Sequence, residues 1–247
     1  MPIDIAIPSG RASTRKLSGE QVFFTALAAS LLLAVLIGFG RTYYFRALLP
    51  PQATVLPPSP LVHAHAMLFS AWILLFVVQT SFVAAGRRDL HMRLGLIGLP
   101  MVLSMLVVGT LTGLNLSKRL AGLPIDPYMM MALPLIAMVG CAILFLTALA
   151  LRRTPGAHKR LMVLGMAAMI GAAFARMPFI PFLIGAFFLP NIYTVALIAW
   201  DLVTDRRPHR STLLGGVVVL GATVGILFVW QNPVWLAFAR WASGLVA

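Results

Sequence analysis

The chain has 247 residues, 60% of them hydrophobic and only 10% charged, with a mean hydropathy of +0.96. So few charges cannot cover a water-facing surface, where about a quarter of residues are charged, and a soluble globular domain is excluded. The net charge of +13 comes from basic residues lodged between apolar runs. There is no aromatic-interleaved basic face, zinc knuckle or helix-turn-helix pattern, so anionic lipid headgroups rather than nucleic acid are the expected partner.

A hydrocarbon core of about 30 Å takes roughly 20 helical residues to cross. The first run that meets this is residues 21–40, QVFFTALAASLLLAVLIGFG. It follows a 20-residue tail, exceeds the apolar length of a signal peptide and lacks a small-x-small cleavage site, so it reads as an uncleaved transmembrane helix. Further spans are expected over residues 62–85, 90–114, 128–151, 158–177, 181–204 and 211–230, giving seven crossings within a single domain, 21–230. Pro100, Pro134 and Pro190 fall inside three of them and each removes a backbone hydrogen bond, which predicts kinks. Residues 161–204 carry little punctuation, so two spans and a tight bend near Met177 and Pro178 are expected there. Alternatively, residues 179–189 lie in the interface and the sixth helix starts at Pro190. The Pro-rich residues 50–60 read as an extended loop. The tail 231–247, apolar with Trp235 and Trp241, is too short to cross again and reads as an interfacial helix. The fold expected is therefore an all-α polytopic membrane bundle plus one interfacial helix.

Thirteen of the 19 Lys and Arg fall on the side of the N-terminus and six on the other. The positive-inside rule then gives an N-in, C-out topology, which in a bacterial cell is that of the inner membrane. The single cysteine, Cys141, permits neither a disulfide within the chain nor a cysteine metal cluster.

Three basic turns recur: RRDLHMRLG from Arg87, RRTPGAHKRLM from Arg152 and RRPHRS from Arg206. All fall on the inner side in this topology. His91-Met92-Arg93-Leu94 aligns with His158-Lys159-Arg160-Leu161, with Gly98 and Gly165 in matching positions, the mark of a short internal repeat. His91, His158 and His209 each sit at or just before a helix start, where free N–H groups and flanking arginines attract anions and disfavour imidazolium. Neutral imidazole is a ligand for a metal or a haem iron. Two arrangements follow. His91 and His158 would hold haem b axially with Arg93 and Arg160 near its propionates, or His91, His158 and His209 would hold a divalent metal within reach of Asp201. The plain alternative is that arginines here merely face headgroups, that the histidines face headgroups or cap a neighbouring loop, and that Asp201, the one acidic residue inside a span, pairs with an inner-loop arginine.

At the opposite end the sequence LVHAHAMLF starts the second span. His63, Met67 and Ser70 share one helical face, while His65, Phe69, Trp72, Phe76 and Gln79 share another. The H-x-H-x-M spacing carries copper-type ligands, although histidines two apart on a helix point away from each other. Arg176 either snorkels to headgroups or turns inward, where it would pair with an anion near His63 or His65 and complete a polar site at the outer face.

The segments VHAHAMLFSAWILLFVVQT, RRDLHMRLG, AHKRLM and DLVTDRRPH together resemble an uncharacterised family of bacterial multi-pass inner-membrane proteins. That resemblance extends over the second to seventh helices and implies emphasis on His63, His91, His158, Arg176, Asp201 and His209, without an activity. No phosphate loop, dinucleotide fingerprint, nucleophile elbow or zinc-protease motif is present. Three functions compete: a cofactor-binding redox protein, a transporter lined by Gln79 and Asp201, and an accessory protein without small-molecule chemistry.

Overall fold

A computed structural model describes residues 17–49 and 57–246. Most of the expected N-terminal tail and of the Pro-rich loop lies outside the described residues. Helix α1 (Gly19–Phe39) starts at a capping box: Ser18 Oγ accepts from the Gln21 amide at 3.2 Å, and the Gln21 side chain accepts from Ser18 N at 2.9 Å. It ends through a π-helical turn, Gly40–Tyr44. Helix α2 (Pro60–Ala84) starts with Ser59 as cap and Pro60 in the first turn, where a missing N–H costs nothing. It is closed by Gly86 at φ 77°, with Gly86 N donating to Val83 O and Arg87 N to Phe82 O. This left-handed stop turns the chain back along α2.

Helix α3 (Arg88–Leu94), a 3-10 turn (Gly95–Ile97) and α4 (Gly98–Leu114) form one broken rod. Two short helices, α5 (Leu116–Arg119) and α6 (Pro127–Met130), lead to α7 (Ala132–Ala150). Helix α8 (Pro155–Phe174) is followed by irregular residues, a π-helical turn (Ile184–Phe188), a 3-10 turn (Leu189–Asn191) and α9 (Ile192–Asp205). Then come α10 (Arg210–Ala222), α11 (Ile226–Val229) and α12 (Pro233–Gly244). The three internal prolines do not sit mid-helix. Pro100 and Pro134 each occupy the third position of an α-helix that restarts after a break, and Pro190 lies in the 3-10 turn. A first turn has no use for the missing N–H, so the chain breaks before the proline instead of kinking at it.

Among the described residues, six helical stretches are long and apolar enough to cross a bilayer: Gly19–Tyr44, Pro60–Ala84, Arg88–Leu114, Pro127–Ala150, Ile184–Asp205 and Arg210–Val229. Their outward side chains are apolar as well; Val203 is 74% exposed and Leu214 70%. An aqueous monomer does not display an apolar surface on this scale, so the chain has the make-up of a multi-pass membrane protein. The expected crossing at 158–177 corresponds to α8, which falls short of the others in apolar character. The reason is its position. It packs on α1, α7, α9 and α10, so protein rather than lipid surrounds it, and small residues line it. A Cβ on Gly171 would run into the carbonyl of Ala186, one on Gly38 of α1 into Ala173, and one on Gly165 into the Phe145 ring. Small residues let helix backbones approach this closely.

The start of α1 and the three basic turns share one end of the bundle, here called proximal. The ion pair of Lys159 with Glu20 and the bond from Gln21 Nε2 to Val83 O at 3.4 Å tie them together. At the distal end, α12 is pinned to α6 by Trp235 Nε1, which donates to Tyr128 O at 3.0 Å, and by Arg240 over the Tyr128 ring. Replacing Gly171 with Val is expected to cost about 1–3 kcal/mol, read as a lower thermal midpoint in detergent. Gly221→Ala, where nothing lies within 4 Å of the added carbon, should leave the midpoint unchanged or raise it slightly.

Candidate functional site

The proximal end is organised by a buried ion pair. Arg160 is 4% exposed and Asp201 is fully buried. Arg160 Nε and Nη2 donate to Asp201 Oδ1 at 2.9 and 2.5 Å, and Nη1 donates to Gly156 O at 2.9 Å. The other carboxylate oxygen accepts from Thr212 Oγ1 at 2.6 Å and from the His209 amide at 2.9 Å. Four donors thus converge on one carboxylate, which is what a charge removed from water requires. Of the readings open to Asp201, the structure realises the ion pair. Arg160 is correspondingly engaged by Asp201 rather than held free beside a cofactor.

His91 of α3 and His158 of α8 come together, with ring centres 6.3 Å apart and planes at 79°. Each is anchored in the same way. His158 Nδ1 lies 2.8 Å from Ala148 O, near the end of α7, and His91 Nδ1 lies a longer 3.4 Å from Gln79 O, near the end of α2. A carbonyl only accepts, so Nδ1 carries the proton in both rings and Nε2 keeps its lone pair. Among the described residues no hydrogen bond reaches either Nε2. Both rings are half-buried. The Gln79 amide reaches the same region: its Nε2 lies 3.4 Å from where a Cβ on Gly95 would stand, and its Oε1 is buried without a partner.

His209 does not join the pair. Its Nδ1 accepts from the Ser211 amide at 3.1 Å and caps α10. Among the described residues no group of three or more His, Cys, Asp or Glu is placed to hold a metal ion. The expected set of His91, His158, His209 and Asp201 is therefore not assembled, because capping takes up His209 and four donors take up Asp201. Arg93, the counterpart of Arg160 in the repeat, is exposed. The two arginines differ because α9 and α10 bring a carboxylate only to α8.

At the distal end His63 and His65 diverge, as their spacing dictates. His63 is exposed, and its Nδ1 meets Tyr43 Oη at 3.0 Å; Tyr44 Oη meets Ser70 Oγ at 2.7 Å. The π-helical turn sets both tyrosines against α2. Met67, on the His63 face, is 64% exposed. His65 turns inward and stacks on Phe69, with ring centres 4.0 Å apart and its Nδ1 buried without a partner. Arg176 lies over the Phe39 ring at 4.9 Å and donates from Nη1 to Ala172 O at 2.6 Å.

Sequence reasoning missed Thr212, the carbonyls of Gln79 and Ala148, and the tyrosine pair. Thr212 stands in the first turn after a basic loop, where a hydroxyl is a common capping group, and that was its only signal. Carbonyl anchors leave no side-chain trace. No family profile, curated protein or solved structure matches the chain.

Breaking the buried pair on one side, as in Asp201→Asn, should cost about 3–5 kcal/mol, whereas an apolar replacement of both partners should recover most of it; denaturation of the two variants in detergent compares them. Burial, and then the Arg160 charge, hold His209 below its ordinary range. The folded state therefore favours the neutral ring, whose contribution is complete above the unfolded value of about 6.5 and is lost as pH falls through the lower folded value. Acidification should loosen the α10 cap by about 1 kcal/mol. His209→Asn, which keeps the cap without titrating, should flatten that part of the stability–pH curve.

Proposed function

We propose that this multi-pass membrane protein is a haem-binding redox protein, with His91 and His158 as axial ligands at the proximal end. The observation that carries the reading is the pair of imidazoles anchored alike at Nδ1, with Nε2 left unbonded on both rings and the ring centres 6.3 Å apart. Two metal–imidazole bonds of about 2 Å, with the reach from nitrogen to ring centre at both ends, give about 6 Å. A bare divalent ion takes about four protein ligands, whereas a porphyrin supplies its own four and needs only two from the chain. Two histidines without a third ligand nearby suit the porphyrin. A carbonyl on Nδ1 also fixes the ring and makes Nε2 a better donor. One-electron transfer is the chemistry such a group supplies when bound.

Within this reading the chain crosses the membrane seven times, with α8 as the fifth crossing. It runs N-in and C-out in the inner membrane, and the charge asymmetry places the paired histidines towards the cytoplasm. The transport reading loses its main acidic residue, since Asp201 is held by four donors and has none free to exchange.

The test is an absorption spectrum of the detergent-purified protein, as isolated and after addition of haem. A Soret band is expected at one haem per chain. His91→Ala and His158→Ala should each lower the bound haem at least tenfold, while His63→Ala should retain it. A protein that takes up no haem, or whose band survives both substitutions, overturns the reading.

A further inference from the structure

The distal ends of α1 and α2 border a recess of about 520 Å³, lined by Tyr43, Tyr44, Arg46, Ala47, Pro58 and His63. Its volume falls within the range of small-molecule sites. The walls are pinned in place. Tyr44 Oη meets Ser70 Oγ at 2.7 Å, and the two tyrosine rings meet edge to face with centres 5.6 Å apart. Pro58 follows a residue, Pro57, whose carbonyl accepts from Arg119 Nη2 at 2.9 Å. Tyr43 Oη and His63 Nδ1 lie 3.0 Å apart and share one hydrogen. That couple keeps a second hydrogen to give. If the phenol donates, His63 Nε2 carries a proton of its own; if Nδ1 donates, the phenol hydrogen is left over.

The recess is thus walled by donors, the Arg46 guanidinium and the Tyr43–His63 couple. Among the described residues no carboxylate lines it, and the sequence holds no acidic residue between Glu20 and Asp89. A cavity with a fixed positive charge, neutral donors and no carboxylate selects an anion with several acceptor oxygens. Its place in the fold narrows the choice. The lining residues stand where the apolar stretches Gly19–Tyr44 and Pro60–Ala84 meet at their distal ends. In a bilayer that is the level of the headgroups, where tyrosine is enriched. Phe45 and Leu48, which bracket Arg46 and Ala47, are 52% and 82% exposed and offer apolar surface to lipid chains. We infer that this recess binds a phosphate group through Arg46, Tyr43 and His63. Two sources carry that chemistry, the headgroup of a phospholipid, which the apolar surroundings favour, and free phosphate from the adjoining aqueous phase. The recess and the paired imidazoles lie at opposite ends of α2, so phosphate binding does not rest on haem.

The experiment uses the full chain, delipidated in detergent. Native mass spectrometry follows phosphatidylglycerol and a diacylglycerol of the same chains, and titration calorimetry follows inorganic phosphate. Retention of phosphatidylglycerol above that of the diacylglycerol marks the lipid source; a one-to-one phosphate isotherm marks the free ion. In either case Arg46→Gln should weaken binding about tenfold or more, the loss of a charged hydrogen bond. Arg46→Lys should restore part of it, and Tyr43→Phe combined with His63→Leu should weaken it severalfold. Arg93→Gln, at the proximal end, should leave binding unchanged, which separates the recess from the basic turns. The readout is lipid or phosphate, so a protein that takes up no haem would leave the inference standing. Should Arg46→Gln fail to fold, Arg46→Lys and the double variant, each expected to bind more weakly than the native chain, replace it. Absence of binding to both phosphate probes overturns the inference. So does equal retention of the diacylglycerol without a phosphate isotherm, binding unmoved by the Arg46 and Tyr43/His63 variants, or an equal loss in Arg93→Gln.

Discussion

The contact between Arg160 and Asp201 is the constraint on which the rest of the proximal end depends. It joins residues 41 positions apart and ties α8 to α9 and, through Thr212 and the His209 amide, to the start of α10. It also fixes how α8 is rotated about its own axis. Residues two apart on a helix point about 200° apart. With Arg160 turned towards Asp201, His158 is turned away from it, towards α3 and His91. The ion pair therefore sets the direction in which an imidazole faces. The cost of desolvating two buried charges offsets much of their attraction; the directional role of the pair follows from geometry.

The two aligned turns show how a repeat in sequence supports an asymmetric structure. His91 and His158 play equivalent parts, each packed back onto a carbonyl of the preceding helix. The residues two places later do not. Arg93 faces the surroundings, whereas Arg160 is swallowed by the junction with α9 and α10. The third turn diverges further, since Arg206 takes a left-handed conformation at φ 58° and His209 serves as a cap. Position relative to the neighbouring helices, more than local sequence, decides what each basic residue does.

Much of the architecture was legible because lipid leaves no choice: a crossing helix must be apolar for its whole length, and six such runs declared themselves. The proximal gathering of the basic turns followed from alternation of direction, and with it the meeting of His91 and His158. The helix breaks before Pro100 and Pro134 were not legible, since a proline in an apolar run marks a disturbance without saying on which side the chain yields. The stretch around Met177 was ambiguous for a related reason. The π-helical turn at Ile184–Phe188 adds residues without changing the apolar pattern that reveals a boundary. Nor could spacing show which arginine would find Asp201, a contact between distant segments. Capping was among the readings open to all three histidines, and only the packing shows that His209 takes it while His91 and His158 do not.

The placement of α8 bears on biogenesis. Gly, Ala and Met replace the Leu, Ile and Val of its neighbours, and Lys159 and Arg160 stand in its second turn. Such a segment partitions poorly into a bilayer by itself. It needs escorts: α7, emerging just before it, shields one flank, and the carboxylate that neutralises Arg160 is made only when α9 follows. The place of α8 in the bundle thus rests on neighbours that lie both before and after it in the chain.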